Sequence, residues 1–93
     1  MEIIKIEKSF EMCNQAGWIG YDIYFSENID EDFIKSLSLF GHLLFLSNLK
    51  NPFFKVENNN LIIKGTLNQN KIRIGCLDKD NEIFNMILSN LPL

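Results

Sequence analysis

The residue pattern predicts an α+β fold: a two-layer sandwich in which two helices cover one face of a five-stranded, mainly antiparallel sheet, in the order β-β-α-β-β-β-α. Three observations carry that expectation. Segments 29–50 and 79–91 place apolar residues at helical spacing, whereas five other segments alternate or run apolar over the length of a strand. The last three strands are separated by Asn58-Asn59-Asn60 and Asn68-Gln69-Asn70, loops short enough to join antiparallel neighbours. Two helices with one apolar stripe each cannot cover both sides of such a sheet, so they belong on one side. The 93 residues suffice for a single domain, 1–93, and no repeat or linker divides it.

Residues 2–10 are the first expected strand. Ile4, Ile6 and Phe10 share one parity against Lys5 and Glu7, and Lys8 interrupts the pattern, which marks a bulge or an early end. Residues 18–26 are the clearest strand. Ile19, Tyr21, Ile23 and Phe25 face the core, while Trp18, Gly20, Asp22, Tyr24 and Ser26 face away. A helix is expected over 29–50, capped by Asn28 with an acid three residues later. Phe33, Leu37, Phe40 and Leu44 form its stripe, and Lys50 followed by Asn51-Pro52 ends it. Gly41 in its interior costs about 1 kcal/mol against alanine. Strands at 53–57, 61–67 and 71–77 follow, the last with Ile72, Ile74 and Cys76 on the core side. The second helix, 79–91, is capped by Asp78 or Asp80 and buries Ile83, Phe84, Ile87, Leu88 and Leu91.

Composition narrows the function classes. The net charge is −3 and the pI about 5.0, which disfavours non-specific attachment to nucleic acid or to an anionic membrane. No apolar run reaches the roughly 20 residues of a membrane helix, and residues 1–10 lack the apolar core of a signal peptide. The expected compartment is the cytoplasm, with Cys13 and Cys76 reduced. Frequent Asn, Ile and Lys fit A/T-rich codon usage, so the Asn clusters carry little weight as signals.

No motif supports catalysis, a metal or a cofactor. Asp78-Lys79-Asp80-Asn81-Glu82 resembles the start of a calcium loop, but the glycine and glutamate that such a loop needs at its sixth and twelfth positions are Ile83 and Ser89. It reads as an acidic helix start. A Cys13 nucleophile would need a base, and His42, the one histidine, lies far along the chain. The five glycines form no phosphate-binding pattern.

Two anomalies point to function. On a helix over 29–50, Leu39, Leu43, Leu46 and Leu49, with Phe45 nearby, form a second apolar row beyond the core stripe. A helix apolar on two sides needs a second cover, either the other helix or a partner surface. On the sheet face turned from the helices, parity gathers Lys5, Lys55, Lys64, Lys71 and Arg73 against Glu7, Asp22 and Glu57, with Trp18, Tyr24 and Phe53 among them. Aromatics beside cations on an open sheet suit stacking of single-stranded bases.

The favoured reading is a small non-enzymatic protein–protein interaction or regulatory module, self-associating or partner-binding through Leu39, Leu43, Phe45 and Leu46. The alternative is a single-strand nucleic-acid binder using Trp18, Tyr24, Phe53, Lys55, Lys64 and Arg73. A second alternative is a small enzyme dependent on Cys13. No reading involves a membrane.

Overall fold

The computed structural model describes residues 1–9, 17–77 and 82–93. The chain is α+β, with one six-stranded antiparallel sheet and two helices. The strands are β1 (Ile3–Ser9), β2 (Trp18–Phe25), β3 (His42–Leu46), β4 (Phe53–Glu57), β5 (Leu61–Thr66) and β6 (Lys71–Leu77). The helices are α1 (Glu31–Ser36) and α2 (Glu82–Asn90). Across the sheet the order is β1-β2-β6-β5-β4-β3. Among the described residues, the contact of β2 with β6 is the one pairing between strands that are not successive in the chain. Phe10, Cys13 and the expected caps Asp78 and Asp80 lie outside the described residues.

The expected helix over 29–50 is the main correction. The α-helix stops at Ser36, a 3-10 turn carries Leu37–Phe40, and residues 42–46 are a strand. The sheet therefore has six strands, and the order along the chain is β-β-α-β-β-β-β-α. The cap is Asp30 rather than Asn28: its Oδ1 accepts from the Phe33 N–H at 2.8 Å. Phe33, Ile34, Leu37 and Phe40 are all buried. Each such side chain gains about 1.5–3 kcal/mol from burial, which outweighs the poorer hydrogen bonds of the 3-10 turn.

Gly41 is where the helix reading fails. A Cβ built there would fall inside the contact radius of the Glu57 carbonyl oxygen, 2.7 Å from the Glu57 carbonyl carbon and 3.2 Å from the Asn58 nitrogen. Only a residue without a side chain lets the chain pass this close to the end of β4 and turn into β3. Asn58 fixes the approach. Its Nδ2 donates to the Phe40 carbonyl at 2.8 Å, while its Oδ1 accepts from the Asn60 and Leu61 amides at 2.7 and 3.1 Å. Here an asparagine of one of the clusters discounted on composition is structural. Asn70 is another: its Nδ2 donates to the Phe25 carbonyl, and its own carbonyl accepts from the Phe25 amide.

Paired residues share a face of the sheet. On one side Ile23, Phe25, Phe54, Val56, Leu61, Ile63, Ile72, Ile74 and Cys76 form one buried cluster with Phe33, Ile34, Leu37, Phe40, Phe84, Ile87 and Leu91 from the helical segments. Tyr21 stacks on Phe84, ring centroids 3.9 Å apart, and so ties α2 to β2. The bulge in β1 lies between Ile3 and Lys5, at its start, and leaves Ile4 62% exposed.

Candidate functional site

The opposite face of the sheet carries two adjoining features, a row of like charges and, at β3, an edge that no other described strand covers. The register builds the row one strand at a time. Glu7 pairs with Asp22, Asp22 with Arg73, Arg73 with Lys64, Lys64 with Lys55, and Lys55 with Leu44. One transverse line thus runs from acid at β1, through three cations, to an apolar side chain at β3. Beside it lie Lys5, Tyr24 and Lys71 on the β1 side, and Phe53, Thr66 and Leu46 on the β3 side.

The acids and outer cations of the row are paired. Asp22, 7% exposed, accepts from Arg73 Nε at 2.8 Å and Nη2 at 3.3 Å, and Lys71 Nζ stands 3.8 Å from its Oδ2. Lys55 Nζ lies 3.3 Å from Glu57 Oε1. Lys5 and Glu7 form an exposed ion pair at 2.6 Å. The hydrogen bond and charge of Glu7 raise the Lys5 pKa, and those of Lys5 lower the pKa of Glu7. Tyr24 lies between Lys5 and Lys71, whose ammonium nitrogens stand 5.5 and 5.6 Å from its ring centre. Lys64, at the centre of the row, is half-buried and makes no ion pair with any described residue.

A cleft of about 590 Å³ opens over this region, lined by Asn51, Phe53, Lys64, Gly65, Thr66, Gln69, Lys71 and Arg73. All six open-face residues expected from sequence do stand on this face. Phe53, Lys64 and Arg73 line the cleft, Lys55 adjoins it in the row, and Tyr24 packs beside Lys71. Trp18 does not join them: it pairs with Leu77, six residues along β2 from Tyr24, or about 20 Å at strand rise. The cleft also draws in Asn51, Thr66, Gln69 and Lys71. Of these only Lys71 carried a sequence signal, its parity.

The apolar row expected on a long helix does not form. Leu39 is exposed on the 3-10 turn, Leu43 and Phe45 turn to the core side of β3, and Leu46 lies on the open face. What replaces the row is β3 as the last strand of the sheet, with Leu44 42% and Leu46 37% exposed. His42 is exposed on the same strand, and Cys13, its partner in the enzyme reading, is outside the described residues. Among the described residues no three His, Cys, Asp or Glu could hold a metal, and no helix is long and apolar enough to cross a membrane. Comparisons with protein-family models, curated proteins and solved structures find no match.

Proposed function

We propose that the protein is a non-enzymatic interaction module that pairs an extended polypeptide segment with the outer side of β3. The contrast between the two sheet edges carries this reading. The β1 edge holds Lys5, Glu7 and Lys8 and is broken by a bulge, devices that deter edge-to-edge pairing. The β3 edge, His42-Leu43-Leu44-Phe45-Leu46, has no lysine, acid, proline or bulge. Its outward backbone groups find no strand among the described residues. Strand addition would use those groups for affinity and alternate side chains for specificity.

A second copy of the chain satisfies this edge. Antiparallel pairing centred on Leu44 sets Leu44 against Leu44, Leu43 against Phe45 and His42 against Leu46, so no like charges meet. Five residues offer only a few ladder bonds, each contributing about 0.5–1.5 kcal/mol net. The association is therefore weak unless Leu44, Leu46 and Phe53 add apolar contact on the open face.

Light scattering across a concentration series, combined with hydrogen exchange, tests the reading. Concentration-dependent dimers with slowed exchange at β3, both lost in Leu44→Lys, support self-pairing. A strict monomer with fast-exchanging β3 amides assigns the edge to a different polypeptide. A strict monomer whose β3 amides are all as protected as those of β4 refutes the proposal, because the edge is then already covered. Leu44→Lys also sets a like charge opposite Lys55, so urea unfolding of the variant is measured alongside, and loss of the dimer counts only while the variant remains folded.

A further inference from the structure

The like-charge row asks for an explanation that the β3 edge does not supply. Directly opposed residues on one sheet face have Cβ atoms about 4.5–5.5 Å apart, and like charges placed so destabilise the sheet. Lys55, Lys64 and Arg73 occupy three successive positions of this kind. Asp22 offsets Arg73 and Lys71, and Glu57 offsets Lys55. Nothing among the described residues offsets Lys64, although it is half-buried under the cleft. An arrangement that weakens the empty protein becomes favourable once an anion sits on it.

The surroundings narrow the anion. The cleft of about 590 Å³ is shallow and open to solvent, so it would hold a ligand by its charges and one ring face rather than by enclosure. Cationic Lys64, Lys71 and Arg73 line it together with neutral donors from Asn51, Thr66 and Gln69, and with the half-buried ring of Phe53. A group with several charged oxygens matches the cations, and a flat ring matches Phe53. We propose that the cleft binds one nucleotide unit, its phosphate over Lys64 and Lys71 and its base against Phe53. An acidic peptide fits less well. The cleft lies over β4, β5 and β6, whose backbone groups are committed to the sheet, so a peptide main chain would find no ladder there. A long strand also fits less well, because Glu7, Asp22 and Glu57 flank the row and would face the next phosphates. The unit is thus a free nucleotide or a single residue of a nucleic-acid strand, and the inference stands apart from the β3 reading.

The test is an NMR titration of the full chain with AMP, inorganic phosphate, adenosine, oligothymidylate and oligoglutamate. AMP is expected to bind with a Kd of about 1 mM or tighter and to shift the amides of Lys64, Thr66 and Lys71. Lys64→Gln should weaken AMP about tenfold, the effect of losing one charged hydrogen bond, while Lys50→Gln, in the exposed β3–β4 loop, leaves it unchanged. Lys64→Gln should also raise the melting temperature of the unliganded protein, which a merely solvated lysine would not do. Oligothymidylate binding with the same Lys64 dependence, and more tightly than AMP, assigns the unit to a strand. The proposal is overturned if AMP fails to bind, if Lys64→Gln binds it equally well, if phosphate alone binds as tightly as AMP, or if only oligoglutamate binds.

Discussion

Replacing Gly41 by alanine gives opposite results for the two ways of reading residues 37–46. If these residues continued a helix, the alanine would stabilise it by about 1 kcal/mol, the ordinary helix-interior gain over glycine. In the observed fold the new methyl meets the Glu57 carbonyl, with the carbonyl carbon at 2.7 Å where ordinary contact begins near 3.4 Å. The obstacle is backbone, and it is held from three sides. Glu57 pairs with His42 on one strand and Ile62 on the other, and Asn58 is bonded to Phe40. Overpacking costs typically 1–3 kcal/mol, and a clash that no side-chain rotation relieves belongs at the upper end, about 3 kcal/mol. The two readings therefore differ by about 4 kcal/mol and in sign. For a domain of this size a loss of about 3 kcal/mol lowers the Tm by roughly 12–24 °C. Urea unfolding followed by far-UV circular dichroism measures the difference directly. A Gly41→Ala variant as stable as the parent, or more so, would refute both the close approach and the strand that follows it.

Two further outcomes concern the charges of the open face. Asp22→Asn leaves Arg73 and Lys71 without their carboxylate at a position only 7% exposed, and we expect a loss of about 2–3 kcal/mol in urea unfolding; a change under about 0.5 kcal/mol would show that the pairs behave as solvated surface charges. Glu7, with its pKa lowered chiefly by the Lys5 hydrogen bond, contributes stability that is present above the ordinary carboxylate pKa and fades as pH falls through its folded value; Lys5, with its pKa raised by Glu7, contributes below the ordinary lysine value and fades as pH rises through its folded one. Both groups are exposed, so the effect is small: Glu7→Gln should lower the neutral plateau of a Tm-against-pH curve slightly and leave the acid end, where Glu7 is already protonated, where it was.

Most of the sheet was legible because its strands obey simple alternation. Ile23 and Phe25, Ile72, Ile74 and Cys76 were placed on the core side by parity and are fully buried. The same parity put Lys55, Lys64 and Arg73 on the other face, though which strands neighbour one another, and hence the continuity of that row, depends on the sheet order. The segment 37–46 departs from its helical pattern for a physical reason. Phe33, Leu37 and Phe40 do share a helical stripe, but the leucines that follow suit a helix or a buried strand equally, and short apolar runs do not discriminate. Alternation within His42-Leu43-Leu44-Phe45-Leu46 is masked because both of its faces are apolar. The available signal was Gly41 followed, beyond the run, by Ser47-Asn48, which together read as a turn, a strand and another turn. The cleft was not legible, since Asn51, Thr66, Gln69 and Lys71 converge only through the β3–β4 and β5–β6 connections.

The single non-successive pairing has a consequence for assembly. From β3 to β6 the sheet is a run of hairpins that each close over a short loop, and β1 with β2 forms another local pair. Joining them at β2 and β6 must close residues 26–70, an entropic toll of about 3 kcal/mol beyond the fixed cost of loop closure. The Asp22–Arg73 pair and both Asn70–Phe25 hydrogen bonds sit on that junction. The chain is thus two ribbons laced along one line, and a nascent chain cannot complete the lacing until Leu77 has emerged.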